Sequence, residues 1–129
     1  MTMYRDTFTI EDFVGRTCKK VEYSEHESEV DFTFDDGFKV QMFHMQDCCE
    51  SVTLDHTDFD LGILIGVPIL HASVEEEQGT SDDGWADSVT KTVFTFTTER
   101  GTLVIPWTGT SNGYYSETVD LWVDRASIN

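Results

Sequence analysis

The chain has 129 residues, of which 39% are hydrophobic and 12% aromatic, and its 25 acidic and 8 basic residues give a formal net charge of −17. This length and apolar content suit a single globular domain over residues 1–129 with one packed core. The charge argues against nucleic acid as a direct ligand, because a polyanion would be repelled. The longest apolar stretch, residues 61–70, is interrupted by two glycines and a proline, so we expect neither a membrane span nor a signal peptide.

The acidic residues are spread along the chain rather than gathered in a tail, so the folded domain itself is acidic. Three interpretations stay open. The charge can serve solubility or a high-salt environment, attract a partner with a basic surface, or imitate nucleic acid and occupy a protein that binds it.

The first part of the chain indicates a helical turn followed by a strand. Thr9 and Asp12 have the spacing of a capping box, and Gly15 can end the turn. Residues 17–23 then follow an extended pattern.

The clearest pattern is a β-hairpin, because apolar and polar residues alternate on both sides of the turn Asp35-Asp36-Gly37. The predicted facing pairs are Phe34 with Phe38, Phe32 with Val40 and Val30 with Met42. One face of this hairpin should lie on the core and the other should face water.

The middle of the chain is less regular. Asp58 or Asp60 can begin a second short helix that Gly66 ends. Residues 69–74 resume an extended pattern, and the acidic residues 75–84 are interpreted as an exposed loop.

A second hairpin is predicted over residues 89–107, with its turn at Arg100-Gly101, and a last strand over residues 118–123. The predicted facing pairs of this hairpin are Phe96 with Ile105 and Phe94 with Trp107. The sequence therefore predicts an α+β domain: a mostly antiparallel β-sheet of six or seven strands, with one or two short helices packed against it.

Residues 46–52 read Gln-Asp-Cys-Cys-Glu-Ser-Val, and adjacent cysteines between acids suit neither a core nor a turn. A disulfide between neighbours in sequence demands unusual geometry. We therefore expect Cys48 and Cys49 to be reduced at a turn where the chain leaves the first hairpin, and the protein to be cytoplasmic.

The same segment carries several groups that can bind metal or act in catalysis. They are His44, Asp47, Cys48, Cys49, Glu50 and His56. Their spacing does not match a standard zinc site. A cysteine nucleophile with His44, His56 or His71 as base is an alternative, but neighbouring carboxylates raise a thiol's pKa. We expect buried thiols that behave as small apolar groups, and no metal, no cofactor and no enzyme activity.

Residues 107–117 combine aromatic residues with small polar ones around the turn Asn112-Gly113. They are interpreted as a hairpin loop between the strands of Trp107 and Val119, whose composition also suits contact with a peptide or a nucleobase. Together with the cysteine segment they give the predicted binding surface. Its residues are Asp47, Cys48, Cys49, Glu50, Trp107, Ser111, Asn112, Tyr114, Tyr115 and Glu117.

A family resemblance rests on three segments: residues 46–52, the run Gly66-Val67-Pro68-Ile69-Leu70, and Trp107 followed by Ser-Asn-Gly-Tyr-Tyr-Ser-Glu at residues 111–117. In order and spacing the chain resembles, from about Phe38 to Asp120, small phage and prophage proteins classed as a domain of unknown function. The resemblance implies a phage-encoded accessory protein in the host cytoplasm. It implies no activity or cofactor.

The expected function is non-enzymatic binding and modulation of a host protein that has a basic surface. The alternatives are a binder of nucleotide-like small molecules and a mimic of nucleic-acid charge. A homo-oligomer is a further possibility, because a short antiparallel sheet has edges to protect.

Overall fold

The structure is a computed structural model that describes residues 8–24, 28–46, 48–55, 60–80, 88–113 and 115–124. Within these ranges the chain forms eight strands. They are β1 (Cys18–Ser24), β2 (Glu29–Phe34), β3 (Lys39–Phe43), β4 (Ser51–Leu54), β5 (His71–Gly79), β6 (Ser88–Thr98), β7 (Gly101–Ser111) and β8 (Asp120–Val123). The first sheet has the order β1-β2-β3-β8 and the second sheet the order β4-β7-β6-β5, and all pairings of strands within these sheets are antiparallel.

The two predicted helices are single 3-10 turns, η1 (Ile10–Phe13) and η2 (Leu61–Leu64). Their predicted starts are correct: the Thr9 amide donates to the Asp12 carboxylate at 2.9 Å, and the Gly62 amide donates to Asp60 at 3.0 Å. Asp58, the other predicted cap, lies outside the described residues. Each turn is followed by an extended residue and a positive-φ glycine, which stops it after four residues. The α+β prediction is therefore wrong in its helical part, and the domain is mostly β.

The first predicted hairpin is confirmed, including its register. Val30 faces Met42 and Phe32 faces Val40 across β2 and β3. The Phe34 amide donates to the Phe38 carbonyl at 2.9 Å, which closes the turn. The alternation of buried and exposed positions set this register, because a slip by one residue would turn the whole apolar face to water.

The second hairpin also forms, but its predicted pairing is wrong by two residues. Phe94 faces Ile105, Phe96 faces Leu103 and Thr92 faces Trp107. The turn residues are Glu99 and Arg100 rather than Arg100 and Gly101, since Thr98 already pairs with Gly101. A shift of two keeps the same side chains on the core face, so burial alone could not choose between the two registers.

Two segments of the second sheet differ from their prediction. The acidic residues 75–79, predicted as a loop, complete the edge strand β5 and pair with β6. An edge strand tolerates this charge because these side chains are exposed. The four-residue strand β4 was not predicted, although Val52 and Leu54 alternate there with exposed residues.

The core lies between the two sheets and is rich in aromatic rings. Phe13 from η1 is fully buried, with its ring centroid 5.0 Å from that of Phe32 in the first sheet and 4.9 Å from that of Phe96 in the second. Cys18 is also fully buried, and burial raises the pKa of its thiol to about 12. This third cysteine therefore acts as a small apolar group.

Candidate functional site

Two connections that cross between the sheets lie side by side, and they contain most of the residues of the predicted surface. The first crossover, residues 44–50, links β3 to β4, and the second crossover, residues 112–119, links β7 to β8. Because β3 pairs with β8 and β4 pairs with β7, the two crossovers run next to each other. The second crossover is thus not the predicted hairpin loop, since the strands it joins belong to different sheets.

A buried imidazole and carboxylate tie the two crossovers together. His44 Nδ1 lies 2.7 Å from the carbonyl oxygen of Thr118, and His44 Nε2 lies 2.6 Å from Glu50 Oε2. The side chains of His44 and Glu50 are only 5% and 0% exposed. A carbonyl only accepts hydrogen bonds, so Nδ1 donates to Thr118, while Nε2 makes its contact with the Glu50 carboxylate. Both ring nitrogens are therefore engaged in the fold.

The same carboxylate shapes the cysteine turn. Glu50 Oε1 accepts a hydrogen bond of 3.0 Å from the Cys48 amide, and the Gln46 side-chain amide donates to the Glu50 carbonyl. Cys48 and Cys49 are exposed and are joined to each other by a disulfide. The expectation of reduced, buried thiols at this position is therefore wrong. Adjacent residues in any chain have their Cα atoms about 3.8 Å apart, so this bond needs no approach of distant segments and fits the exposed turn.

In the second crossover, Glu117 is buried at 6% exposure and satisfied by hydroxyl groups. Its Oε1 accepts hydrogen bonds from Thr90 (2.6 Å) and Ser88 (3.1 Å), and its Oε2 accepts one from Ser111. The Ser111 hydroxyl also accepts from the Gly113 amide at 3.0 Å, which fixes the turn. A carboxylate with several hydrogen-bond donors can be buried at acceptable cost.

Gly109 allows this crossover to pack closely on the second sheet. A Cβ atom there would lie 2.8 Å from Glu117 Cβ and 2.9 Å from the Glu117 carbonyl oxygen. Gly109 pairs with Val52 of β4, so the second crossover packs where β4 and β7 pair. Gly109 was predicted to lie in a loop, whereas it lies inside β7, where a glycine marks close approach of another backbone.

The ten residues of the predicted surface thus divide into three groups. Glu50, Trp107, Ser111 and Glu117 are buried, and they hold the crossovers or the core rather than contact a partner. Cys48, Cys49 and Asn112 are exposed and Tyr115 is half-buried. Asp47 and Tyr114 lie outside the described residues. Sequence reasoning did not find the roles of Ser88, Thr90 and Gly109, or that of His44 as a structural link.

Trp107, predicted as a surface aromatic, is a core residue at 1% exposure, and its indole nitrogen has no hydrogen-bond partner among the described residues. It faces Thr92 on β6 and Leu54 on β4, in the middle of the second sheet. This position removes Trp107 from direct contact with any ligand.

In the described ranges no three His, Cys, Asp or Glu side chains are grouped so that they could hold a metal ion. His56, one of the predicted ligands, is outside those ranges, and His71 is exposed at the start of β5. The same ranges contain no helix that is long and apolar enough to cross a membrane.

Fold and site together define a class: a two-sheet antiparallel β-sandwich whose paired crossovers are fixed by buried carboxylates. A family model described as a domain of unknown function, DUF7448, matches residues 11–121, and the chain belongs to this family. The resemblance to a domain of unknown function is confirmed to that extent. No curated protein and no solved structure matches the chain.

Proposed function

We propose that this protein is a phage-type accessory protein that acts in the host cytoplasm without enzymatic activity, by binding and modulating a host protein with a basic surface. The observation that carries the proposal is the net charge of −17 on a domain of 129 residues. Such a charge accelerates encounter with a basic partner and repels acidic competitors.

The arrangement of the crossovers supports binding rather than catalysis. The imidazole of His44 and the carboxylates of Glu50 and Glu117 are buried, and each makes hydrogen bonds within the fold. A general base needs a nitrogen or oxygen that reaches the substrate. These groups instead hold the exposed residues Asn112 and Cys48 and the half-buried Tyr115 in a fixed arrangement, which lowers the entropy cost of binding.

The test is affinity capture of partners from cells of the natural host, followed by reconstitution with the purified partner. We expect a basic protein whose dissociation constant rises at least tenfold between 50 and 300 mM salt, because exposed charge pairs are screened. Tyr115→Ala should weaken binding without unfolding the domain. Its control is Tyr23→Ala. This change removes an exposed tyrosine from β1, at the edge of the first sheet opposite β8, to which the second crossover leads. Capture of partners with no basic surface would contradict the proposal.

A second candidate is a nucleotide-like small molecule, for which one cleft offers space and lysine side chains. The outer face of the first sheet has a cleft of about 400 Å³ whose lining includes Lys19, Lys20 and Lys39. Glu22, Asp31 and Asp124 line it as well, so its formal charge is balanced if all six groups are ionised. Native mass spectrometry of the protein purified from its host would distinguish the candidates, since a retained anion supports the cleft and a retained protein supports the first proposal.

A further inference from the structure

A groove of about 440 Å³ opens between η1, the edge strand β5 and the start of β8. Its apolar lining includes Phe94, Val119 and Leu121, and its acidic groups are Glu11, Glu76 and Asp120. It is separate from the exposed residues of the crossovers, except that Val119 ends the second crossover.

On the inner face of β5, Val74 and Glu76 are exposed where this groove lies. Val74 and Glu76 face Phe94 and Thr92 across the β5–β6 pair, so all four side chains point to the interior side of the sheet. Phe94 and Thr92 are 2% and 1% exposed, whereas Val74 is 39% exposed and Glu76 is also exposed. In a sandwich both inner faces are normally covered by side chains of the other sheet. The groove is therefore a part of the interior layer that is open to solvent.

The charges that line the groove indicate which kind of segment can bind there. Three carboxylates and no Lys or Arg are among the described residues that line it. An apolar floor with an acidic rim complements a segment that presents apolar side chains inward and basic side chains at its margins. It disfavours an acidic segment and offers little to a nucleic acid.

The edge position of β5 indicates that the bound segment is extended. β5 is nine residues long and pairs only with β6 within the described sheet. An extended segment can add to such an edge through main-chain hydrogen bonds, with alternate side chains entering the adjacent groove.

We propose that this groove binds an extended, basic segment of the partner protein, whose groove-facing side chains, those of every second residue, are apolar residues and lysine or arginine in turn. This inference rests on the proposed function. It adds which kind of segment of the partner the protein recognises. Val74 and Phe94 supply the apolar contact, and Glu11, Glu76 and Asp120 supply the charge.

The experiment measures binding of a labelled peptide, about seven residues long, to the full chain by fluorescence anisotropy. Every second residue of the peptide, on the side that faces the groove, is lysine or valine in turn, and threonine stands between them. A peptide with glutamate in place of lysine tests the charge requirement, and one with serine in place of valine tests the apolar requirement. We expect only the lysine–valine peptide to bind, with amide shifts in NMR spectra confined to β5, η1 and residues 119–121.

Matched variants locate the site. Glu76→Lys should weaken peptide binding about tenfold, whereas Glu75→Lys, with the same change of charge on the opposite face of β5, should change it less than about twofold. Val74→Ser should weaken binding about fivefold. Its control is Val104→Ser, which alters a similarly exposed valine on the outer face of β7.

Equal effects of Glu75→Lys and Glu76→Lys would show that the groove is not the binding site. The proposal of charge-driven partner binding would still stand. If none of the peptides binds, the inference fails, and the proposed function is judged separately by capture of the natural partner. If the groove variants change only the oligomeric state in light scattering, the occupant is a second copy of the chain and the inference is wrong.

Discussion

At the scale of single residues, the buried carboxylates are the most informative feature of the molecule. Glu50 and Glu117 stand in segments that the sequence marked as unusual, yet their role differs from the one predicted. Glutamate is exposed at most positions in proteins, so sequence favours a surface role. Burial is possible because the fold supplies hydrogen-bond partners: His44 for Glu50, and Ser111 together with the more distant Ser88 and Thr90 for Glu117.

Glu50→Ala should lower the free energy of unfolding by about 2–3 kcal/mol, because it removes the carboxylate that bonds buried His44 and the Cys48 amide. Chemical denaturation measures the effect. The exposed acid Glu75 gives the control, and Glu75→Ala should stay within about 0.5 kcal/mol of the original protein. Combining Glu50→Ala with His44→Ala should cost less than the sum of the two, and full additivity would contradict the pairing.

Gly109→Ala should lower the free energy of unfolding by about 1–3 kcal/mol, because the added methyl group would overlap Glu117. Gly79→Ala is the matched control: it also lies in a strand, and its Cβ would meet no atom within 4 Å. Thermal unfolding of both variants checks the prediction. Equal stability of the two would mean that the second crossover does not pack on β7 as described.

Asp31 gives a prediction about pH. Burial, then a hydrogen bond and the charge of Glu29, and then the charge of Glu22, raise the pKa of Asp31 from 3.8 to about 7, against a smaller opposing effect of Lys39. The folded state therefore binds a proton that the unfolded state releases. The resulting stabilisation is complete below about pH 4 and is lost as the pH rises through about 7.

Asparagine resembles the protonated carboxyl group, so Asp31→Asn should gain stability over the original protein as the pH rises. Urea unfolding at pH 5 and pH 8 should show the larger advantage of the variant at pH 8. Glu75→Gln removes an exposed acid and should show a much smaller difference between the two pH values. An advantage for Asp31→Asn that is equal at both would contradict the raised pKa.

At the scale of elements, local pattern fixed the register of one hairpin, whereas the turn fixed the register of the other and contacts with β6 fixed the extent of β5. The turn and the alternation of β2 and β3 contain enough information to fix one register, and that prediction is confirmed. For β6 and β7 two registers bury the same face, and the turn at Glu99 and Arg100 selects between them. The acidic end of β5 becomes a strand because β6 supplies its hydrogen bonds, which its own composition did not indicate.

The turn η1 contributes one residue on which both sheets depend. Phe13→Ala should cost about 3–5 kcal/mol of unfolding free energy, since this fully buried ring contacts Phe32 and Phe96. The adjacent residue Val14 is 48% exposed, and Val14→Ala should have an effect below about 1 kcal/mol. Calorimetric unfolding compares them, and a small loss for Phe13→Ala would show that η1 is peripheral to the core.

At the scale of the whole molecule, the charge of −17 affects stability as well as encounter. Repulsion between carboxylates opposes the compact state, and salt screens it. The unfolding midpoint should therefore rise by about 5 °C between 20 and 500 mM sodium chloride. A variant with glutamine at positions 75, 76 and 77 should show a smaller rise in differential scanning fluorimetry. A midpoint that falls with salt would mean that attractive ion pairs outweigh the repulsion.

The sequence by itself determined the antiparallel β character, the first hairpin, the starts of both short turns and the identity of the two unusual segments. These features depend on alternation, capping and turn residues that lie within a few positions of one another. The tertiary structure alone decided that the chain forms two sheets, that the two crossovers adjoin, and which of their residues are buried. Those properties depend on which strand pairs with which across long stretches of chain: β3 with β8 and β4 with β7 bring residues 44–50 beside residues 112–119. Within the described sheet the same pairing leaves β5 at an edge with Val74 exposed on its inner face, which no local pattern in the sequence reveals.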